Sequence, residues 1–451
     1  MERVKPRTLA GFQELLPGRQ MQMEKIMEKL RDAYSLYGFT PLDTPIIEAS
    51  EVLLAKGGGE TEKQIYRFLK GDTDLSLRFD LTVPLAKYVA MNYGNLTFPF
   101  RRFQIGKVYR GERTQRGRFR EFYQADIDII GDGSLNPVNE AEIPSVIYRT
   151  FTSLGLRRFK IRVNSRLLLN GFIEYAGAKE KAPDIMREID KLEKQGAEKT
   201  LENLTLICSS DAAEKLLEFI SISGTLAEKM EALGRYRGCS VLYDEGYESM
   251  GNLVGYLGDF GVPEENFEID LTIARGLDYY TGTVYETVMT DYPDMGSICS
   301  GGRYDNLAEY YTDKALPGVG ISIGLSRLFY VLESEGYLND DMIISPADVI
   351  IIPMTDSLET AIKTATAMRG AGVRTSVYFE KKKFKAKLSY ADKLGIPFAA
   401  FIGEDEISAG ITTVKNLVTG EQWQAPPEEA AARVAAELEA RRGLPPIKDR
   451  V

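Results

Sequence analysis

The sequence has 451 residues, 44% of them hydrophobic and 27% charged, with a formal net charge of −10. At about 150 residues per domain this length predicts two to four domains, and the acidic balance argues against a protein that coats nucleic acid non-specifically, while leaving room for a local basic patch. There is no histidine, which excludes Ser-His-Asp and Cys-His chemistry and any histidine-ligated zinc.

Met1 to Leu9 is basic, but no apolar h-region follows it and no run of about 18 apolar residues occurs, so neither a signal peptide nor a membrane span is expected. Gln20 to Tyr37 carries Met23, Ile26, Met27, Leu30, Ala33, Tyr34 and Tyr37 near helical spacing, closed by Gly38. Pro41, Pro45 and a glycine loop from Lys56 to Thr61 follow. Strand-like sequence then dominates from Ser76 to Ile130, and a helix is expected from Asn139 to Leu154. From Gly171 to Glu248 the texture is Lys/Glu-rich and helical, which suggests an insertion into a sheet domain. Strand-rich sequence resumes from Phe267 to Met289. After Ser345-Pro346, an apolar run from Asp348 to Pro353 opens a β-α-β-α-β alternation through Ile402, which predicts a small α/β domain with a mostly parallel sheet. The tail from Pro426 reads as one exposed helix. Cys208, Cys239 and Cys299 are widely spaced, fit a reducing compartment and form no metal-ligand pattern.

Alternation along Phe119 to Ile130 is the most informative pattern. The odd positions, including Ala125, Ile127 and Ile129, suit a core, while Gln124, Asp126 and Asp128 share the other face about 7 Å apart. Short carboxylates are poor strand formers, so either a pocket for a cation or donor-rich ligand compensates them, or the face is solvated with a buried ion pair. That strand alone leaves the two readings even. The preceding loop carries Arg110, Arg113, Arg116 and Arg118 between Gly111 and Gly117, and guanidinium forks match phosphate and carboxylate geometry. Three further stretches are not ordinary core: a strand reading Arg275-Gly-Leu-Asp-Tyr279-Tyr280-Thr-Gly282, Ser300-Gly-Gly-Arg-Tyr304-Asp305, and Gly318-Val-Gly320-Ile-Ser322-Ile-Gly324 before Arg327. The last leaves one strand face nearly bare, wide enough for a flat ligand such as a purine.

Together these stretches, from Gly11 to about Gln424, resemble the histidyl-tRNA synthetase family of class II aminoacyl-tRNA synthetases. Phe100 to Gly131 is similar to motif 2, Gly318 to Leu328 to motif 3, and the stretch around Gly38, Phe39 and Pro45 to motif 1, which forms a dimer interface in this class. The Arg275 and Gly301-Gly302-Arg303-Tyr304-Asp305 stretches resemble the two signatures peculiar to histidyl enzymes. The resemblance implies an α+β fold: an antiparallel sheet flanked by helices, a helical insertion and a C-terminal α/β anticodon-binding domain. The implied division is 1–170 and 252–340 catalytic, 171–251 insertion, 346–425 anticodon-binding, and 426–451 tail.

It also implies the reaction, charging of histidine tRNA with L-histidine at the expense of ATP with Mg2+, in a cytoplasmic homodimer with no membrane association. Arg110, Arg275 and Arg327 are the implied catalytic residues. Asp80, Thr82, Arg110, Gln124, Asp128, Arg275, Tyr279, Tyr280 and Tyr304 are implied to bind histidine, with Asp80, Thr82 and Gln124 at its ammonium and Asp128 and Tyr280 at its imidazole. Arg110, Glu112, Arg118, Phe122 and Arg327 are implied to bind ATP. Arg113 and Gln115 are the implied acceptor-end contacts, and Lys381, Lys382, Lys383 and Lys385 form a basic run suited to tRNA phosphates. No metal site is expected from side chains alone. Motif 3 usually carries an acidic residue where Ser326 stands, which puts one helix-start contact in question. Two rival readings remain: a regulatory subunit related to these synthetases, and a synthetase of the same subclass for another amino acid.

Overall fold

A computed structural model of the chain describes residues 3–55, 60–274, 279–336, 338 and 345–442. It divides into two compact units, Met1–Glu14 with Ile26–Glu335, and Leu15–Lys25 with Gly336–Val451. Among the described residues, no helix is long and apolar enough to cross a membrane.

The larger unit is built on an eight-stranded sheet. Its strands are β1 (Thr40–Pro41), β5 (Phe100–Tyr109), β6 (Glu121–Ile130), β7 (Phe159–Ser165), β8 (Phe267–Ile269), β9 (Thr283–Met289), β10 (Cys299–Tyr304) and β11 (Gly318–Gly324). The intervening strands β2 (Ile47–Ala49), β3 (Arg67–Lys70) and β4 (Thr73–Leu77) form a separate three-stranded sheet. The large sheet runs in the order β1-β5-β6-β11-β10-β9-β7-β8. Its centre is antiparallel as expected, but the short edge strands β1 and β8 pair in parallel.

The pleat sorts the sheet into two faces. On one, Ala125, Ile127, Ile129, Val319, Ile321 and Ile323 are buried. Helix Val138–Ser153 is tied to this face by Tyr285, whose hydroxyl donates to the Glu140 carbonyl at 2.6 Å, and by the Arg303–Glu140 ion pair at 2.9 Å. Tyr34 of the first helix, Pro17–Leu36, lies 5.7 Å from Phe103 between ring centres. The other face is polar and forms the site.

Three expectations need correction. The strand-like region from Ser76 to Ile130 is interrupted by helix Thr82–Asn92, whose Val83, Leu85, Ala86 and Val89 are buried; apolar residues at helical spacing decide the local structure against β-propensity. The signature between Leu271 and Gly282 is not a strand in its described part. The chain leaves β8, the described Tyr279 and Tyr280 lie in a loop, and β9 begins at Thr283. The helical region is wider than the Lys/Glu texture suggests. Helix Arg166–Tyr175 packs on helix Val241–Asp259, and the latter also packs on helix Val138–Ser153.

The second unit has β12 (Val349–Pro353), β13 (Thr375–Val377), β14 (Phe398–Ile402), β15 (Thr412–Asn416) and β16 (Gln422–Ala425), in the order β13-β12-β14-β15-β16. The first three strands are parallel, but β15 and β16 add an antiparallel edge that the alternation does not reveal. Helix Pro427–Arg442 is not simply exposed. Ala430, Ala431, Val434 and Leu438 share one face and are buried with Val349, Ile351, Ala365 and Met368. Small alanines in a charged sequence hide that stripe from a reading based on composition.

Candidate active site

The site face is ordered by register. Arg102 of β5, Asp128 of β6, Gly320 of β11 and Gly302 of β10 lie directly opposite one another, and the next row holds Gln104, Asp126 and Ser322. Over these rows lies a small cavity lined by Asp80, Thr82, Gln124, Asp126, Asp128, Tyr279, Tyr280, Tyr304, Gly320, Ile321 and Ser322. The polar face of β6 is therefore neither solvated nor filled: Gln124, Asp126 and Asp128 are buried around a cavity.

The strand face that looks bare in sequence is largely covered. A Cβ on Gly318 would stand 2.5 Å from Tyr304 Cζ, and one on Gly320 would stand 2.6 Å from Asp128 Cγ. Glycine is needed here because side chains from neighbouring segments occupy the space above the strand. The first half of the strand thus serves the tyrosine and carboxylate wall, not a flat ligand.

Asp128 is held from two sides. Tyr304 donates its hydroxyl to Oδ1 at 2.7 Å, and the fully buried Arg102 lies 2.6 Å from Oδ2 as an ion pair. Asp80 Oδ1 accepts from the Val83 N–H at 3.0 Å, while its buried Oδ2 has no hydrogen-bond partner. Gln124 Nε2 donates to Ser322 Oγ at 2.8 Å, leaving its buried Oε1 without a partner. Burial pushes all three carboxyl groups up, Asp80 and Asp128 to about 6 and Asp126 to about 7. Arg102 opposes each shift, and Asp128 and Asp80 add to that of Asp126. Burial likewise raises the Tyr279, Tyr280 and Tyr304 phenols well above their ordinary value, so all three are neutral donors. Tyr279 and Tyr280 meet edge to face at 4.9 Å.

Arg110, just past β5, donates from Nε to the Phe79 carbonyl at 2.9 Å and lies 5.3 Å from the Phe122 ring centre. Glu112 pairs with Arg118 at 3.7 Å, and Arg113 and Gln115 are exposed on the β5–β6 loop. Arg327, in helix Leu325–Ser334, donates to the Ser297 carbonyl at 2.8 Å and to that of Met295, with its buried Nε unpartnered. Burial and the neighbouring Arg118 lower its pKa, as suits a cation poised for an anion. Ser326 keeps a helix-start contact: its hydroxyl accepts from the Tyr123 N–H at 2.9 Å. Arg275 lies outside the described residues. Lys381, Lys382, Lys383 and Lys385 are exposed in the second unit, before and at the start of helix Phe384–Lys393, with Lys381 paired to Asp356 at 2.7 Å. Among the described residues no cluster of three Cys, Asp or Glu side chains is arranged to hold a metal.

The cavity thus gathers seven of the residues singled out in sequence: Asp80, Thr82, Gln124, Asp128, Tyr279, Tyr280 and Tyr304. It adds Asp126, Ile321 and Ser322 as unassigned wall, with Arg102 behind Asp128. Alternation had already put Asp126 on this face. Arg102 becomes visible only once the β5–β6 register is known.

Residues 11–328 match the family model described as histidyl-tRNA synthetase, and residues 348–437 match an anticodon binding domain. The chain is 52% identical to the histidine--tRNA ligase of Clostridium tetani, over 95% of this chain and 97% of that relative. It is 43% identical to that of Clostridium acetobutylicum, over 93% and 97%. Among solved structures, it is similar to the histidyl-tRNA synthetase of a Nostoc species, with a TM-score of 0.88, 36% identity, and 97% of this chain and 100% of that one covered.

Proposed function

The chain belongs to the histidyl-tRNA synthetase family, and from that premise we propose how its residues carry the reaction. The enzyme is a class II histidine--tRNA ligase: it uses ATP to join histidine to tRNA. In the first step the histidine carboxylate attacks the α-phosphorus of ATP, giving histidyl-adenylate and pyrophosphate. In the second a hydroxyl at the tRNA 3′ end attacks the adenylate carbonyl, and AMP leaves.

The observation that carries the residue assignment is the set of buried acceptors left open toward one cavity. Asp80 Oδ2 and Gln124 Oε1, with the Thr82 hydroxyl, provide three acceptors for the three N–H bonds of an ammonium group. Asp128 and Tyr280 face the imidazole. Tyr279 backs Tyr280, and Tyr304 fixes Asp128. A site built to hydrogen-bond its substrate rejects analogues lacking those groups by roughly 10⁴-fold or more. Arg110 and Arg275 hold the carboxylate and α-phosphate, Phe122 stacks with the adenine, and Arg118, Glu112 and Arg327 orient the remaining phosphates. Cations held in place before the reaction stabilise the developing charge on the transferring phosphorus. Mg2+, if bound with ATP, would add positive charge at the phosphates beside that of Arg110, Arg118 and Arg327. With no imidazole in the enzyme, a phosphate oxygen of the adenylate takes the proton of the attacking hydroxyl. A normal transfer rate with non-bridging oxygens substituted would count against this.

Arg113 and Gln115 meet the acceptor end, and Lys381, Lys382, Lys383 and Lys385 meet tRNA phosphates. The catalytic domain comprises 1–170 and 252–340, around an insertion at 171–251, and the anticodon-binding domain begins near 346. The enzyme works as a homodimer; exposed Ile46, Ile47 and Leu69 offer apolar surface for a second copy. A cytoplasmic location fits three free cysteines. The test is ATP–pyrophosphate exchange and tRNA charging with each of the twenty amino acids. Histidine alone should support both. No exchange would favour a regulatory subunit, and exchange with a different amino acid would refute the specificity.

A further inference from the structure

Asp126 has no role in the assignment above, yet it is 1% exposed and lines the same cavity. Its Oδ1 is buried with no hydrogen-bond partner. An ionisable oxygen is rarely left so, because desolvation without a compensating bond is costly.

None of the side chains that flank it hydrogen-bonds this oxygen. Gln104, opposite on β5, donates its amide to Asp43 Oδ1 at 2.9 Å and Thr44 Oγ1 at 3.1 Å. Ser322, opposite on β11, accepts from Gln124 and supports the Asp126 carboxylate with its hydroxyl. Arg102 pairs with Asp128 and donates to the Leu81 carbonyl at 3.1 Å; its charge is felt by Asp126, but its buried Nε and Nη1 make no hydrogen bond. The other titratable groups that sense Asp126 are Asp80, Asp128, Tyr34, Tyr280, Cys299 and Arg78. Arg78 donates to the Lys107 carbonyl at 2.8 Å and the Thr44 carbonyl at 2.5 Å. No described cation is therefore hydrogen-bonded to Asp126 Oδ1.

Asp128 has Oδ1 filled by Tyr304, and its Oδ2, which makes no hydrogen bond either, is matched by the Arg102 guanidinium 2.6 Å away, whereas Asp126 Oδ1 has neither a hydrogen bond nor an ion pair. The ammonium group of the substrate already has its three acceptors in Asp80, Thr82 and Gln124. A neutral imidazole has one N–H donor and one acceptor nitrogen; the neutral Tyr280 phenol can serve the acceptor nitrogen, and the carboxylate oxygen beside Asp128 with neither hydrogen bond nor ion pair is Asp126 Oδ1.

We propose that Asp126 is a further substrate-binding residue whose Oδ1 accepts an imidazole N–H of the bound histidine, an assignment that rests on the functional reading above. Two neighbouring carboxylates then serve the ring. Asp128, tied down by Tyr304 and Arg102, is the rigid wall, and Asp126 makes the hydrogen bond that a substrate must complete. An apolar ring of the same size would leave it unpaired, so Asp126 adds to discrimination.

The test measures ATP–pyrophosphate exchange with the full-length enzyme, its Asp126→Asn variant and its Asp126→Ala variant. The Asn variant keeps the shape of the side chain. It should raise KM for histidine tenfold or more while KM for ATP stays within twofold. The Ala variant should lower the ratio of kcat/KM for histidine over its two ring-N-methyl isomers. A histidine KM within twofold of the parent, a parallel rise in both KM values, or an unchanged ratio would overturn the proposal. Absence of histidine-dependent exchange in the parent enzyme would instead defeat the functional reading itself.

Discussion

Gly320→Ala tests the close packing on which the imidazole wall depends. The new Cβ would stand 2.5 Å from the Ile127 carbonyl oxygen and 2.6 Å from Asp128 Cγ, where ordinary contact begins at 3.4 Å. The carbonyl belongs to the middle of β6, which is paired on both sides, so it yields little. Relief must come mainly from the Asp128 side chain, whose Oδ1 lies closer still to the new Cβ and has to move by more than about 1 Å. That shift stretches the 2.7 Å bond from Tyr304 toward the limit of hydrogen bonding and disturbs the 2.6 Å pairing with Arg102. Overpacking costs about 1–3 kcal/mol of stability, and a misplacement near 1 Å at a reacting site lowers rates on the order of 10²-fold. Histidine-dependent ATP–pyrophosphate exchange should show kcat/KM for histidine falling about 100-fold, with tRNA binding unchanged. A folded variant within threefold of the parent would refute the idea that Gly320 is required by the position of Asp128.

Tyr304→Phe removes the hydroxyl bonded to Asp128 and should cost about 1.5–3 kcal/mol in histidine binding, read as a KM for histidine raised tenfold or more with KM for ATP unmoved. Asp80, Asp126 and Asp128 are raised to about 6, 7 and 6, above an unfolded value of about 3.9, so the native state binds more protons than the unfolded state. Their stabilising contribution is therefore full below about pH 4 and is lost as pH rises through 6 to 7. Accordingly, Asp126→Asn should raise the ligand-free melting temperature more at pH 7.5 than at pH 5; an equal difference at both would count against burial as the cause. Replacing Lys382, Lys383 and Lys385 with Ala should flatten the salt dependence of tRNA binding by about 0.7–0.9 for each phosphate no longer neutralised and leave pyrophosphate exchange intact; an unchanged slope would remove these lysines from the interface. Ser326→Ala should cost about 1 kcal/mol in chemical denaturation, because the Tyr123 N–H is left without its acceptor; unchanged stability would show that this hydrogen bond contributes nothing.

Much of this protein can be read without coordinates because the informative patterns are local. Alternation alone put Gln124, Asp126 and Asp128 on one face and Ala125, Ile127 and Ile129 on the other. Helical spacing located the helix that runs from Val138 to Ser153 to within a residue at each end. A histidine-free composition removed imidazole catalysis outright. Local patterns failed where two tendencies competed, as at Thr82–Asn92, and where a stripe was made of alanines, as at Ala430 and Ala431.

What the sequence could not decide was pairing between distant segments. Arg102 meets Asp128 only because β5 and β6 pair in one register, and a slip of one residue would send Arg102 to the opposite face. The glycines of β11 looked like an empty shelf until Tyr304, from β10, and Asp128, from β6, were seen to occupy it. Asp126 differed in no local respect from Asp128; only the partners of each oxygen separate them. Composition and periodicity belong to neighbouring residues, so the chain itself determined its elements, its chemistry and its family. Burial, register and the completion of hydrogen bonds belong to residues brought together from far apart, and these the tertiary structure alone decided.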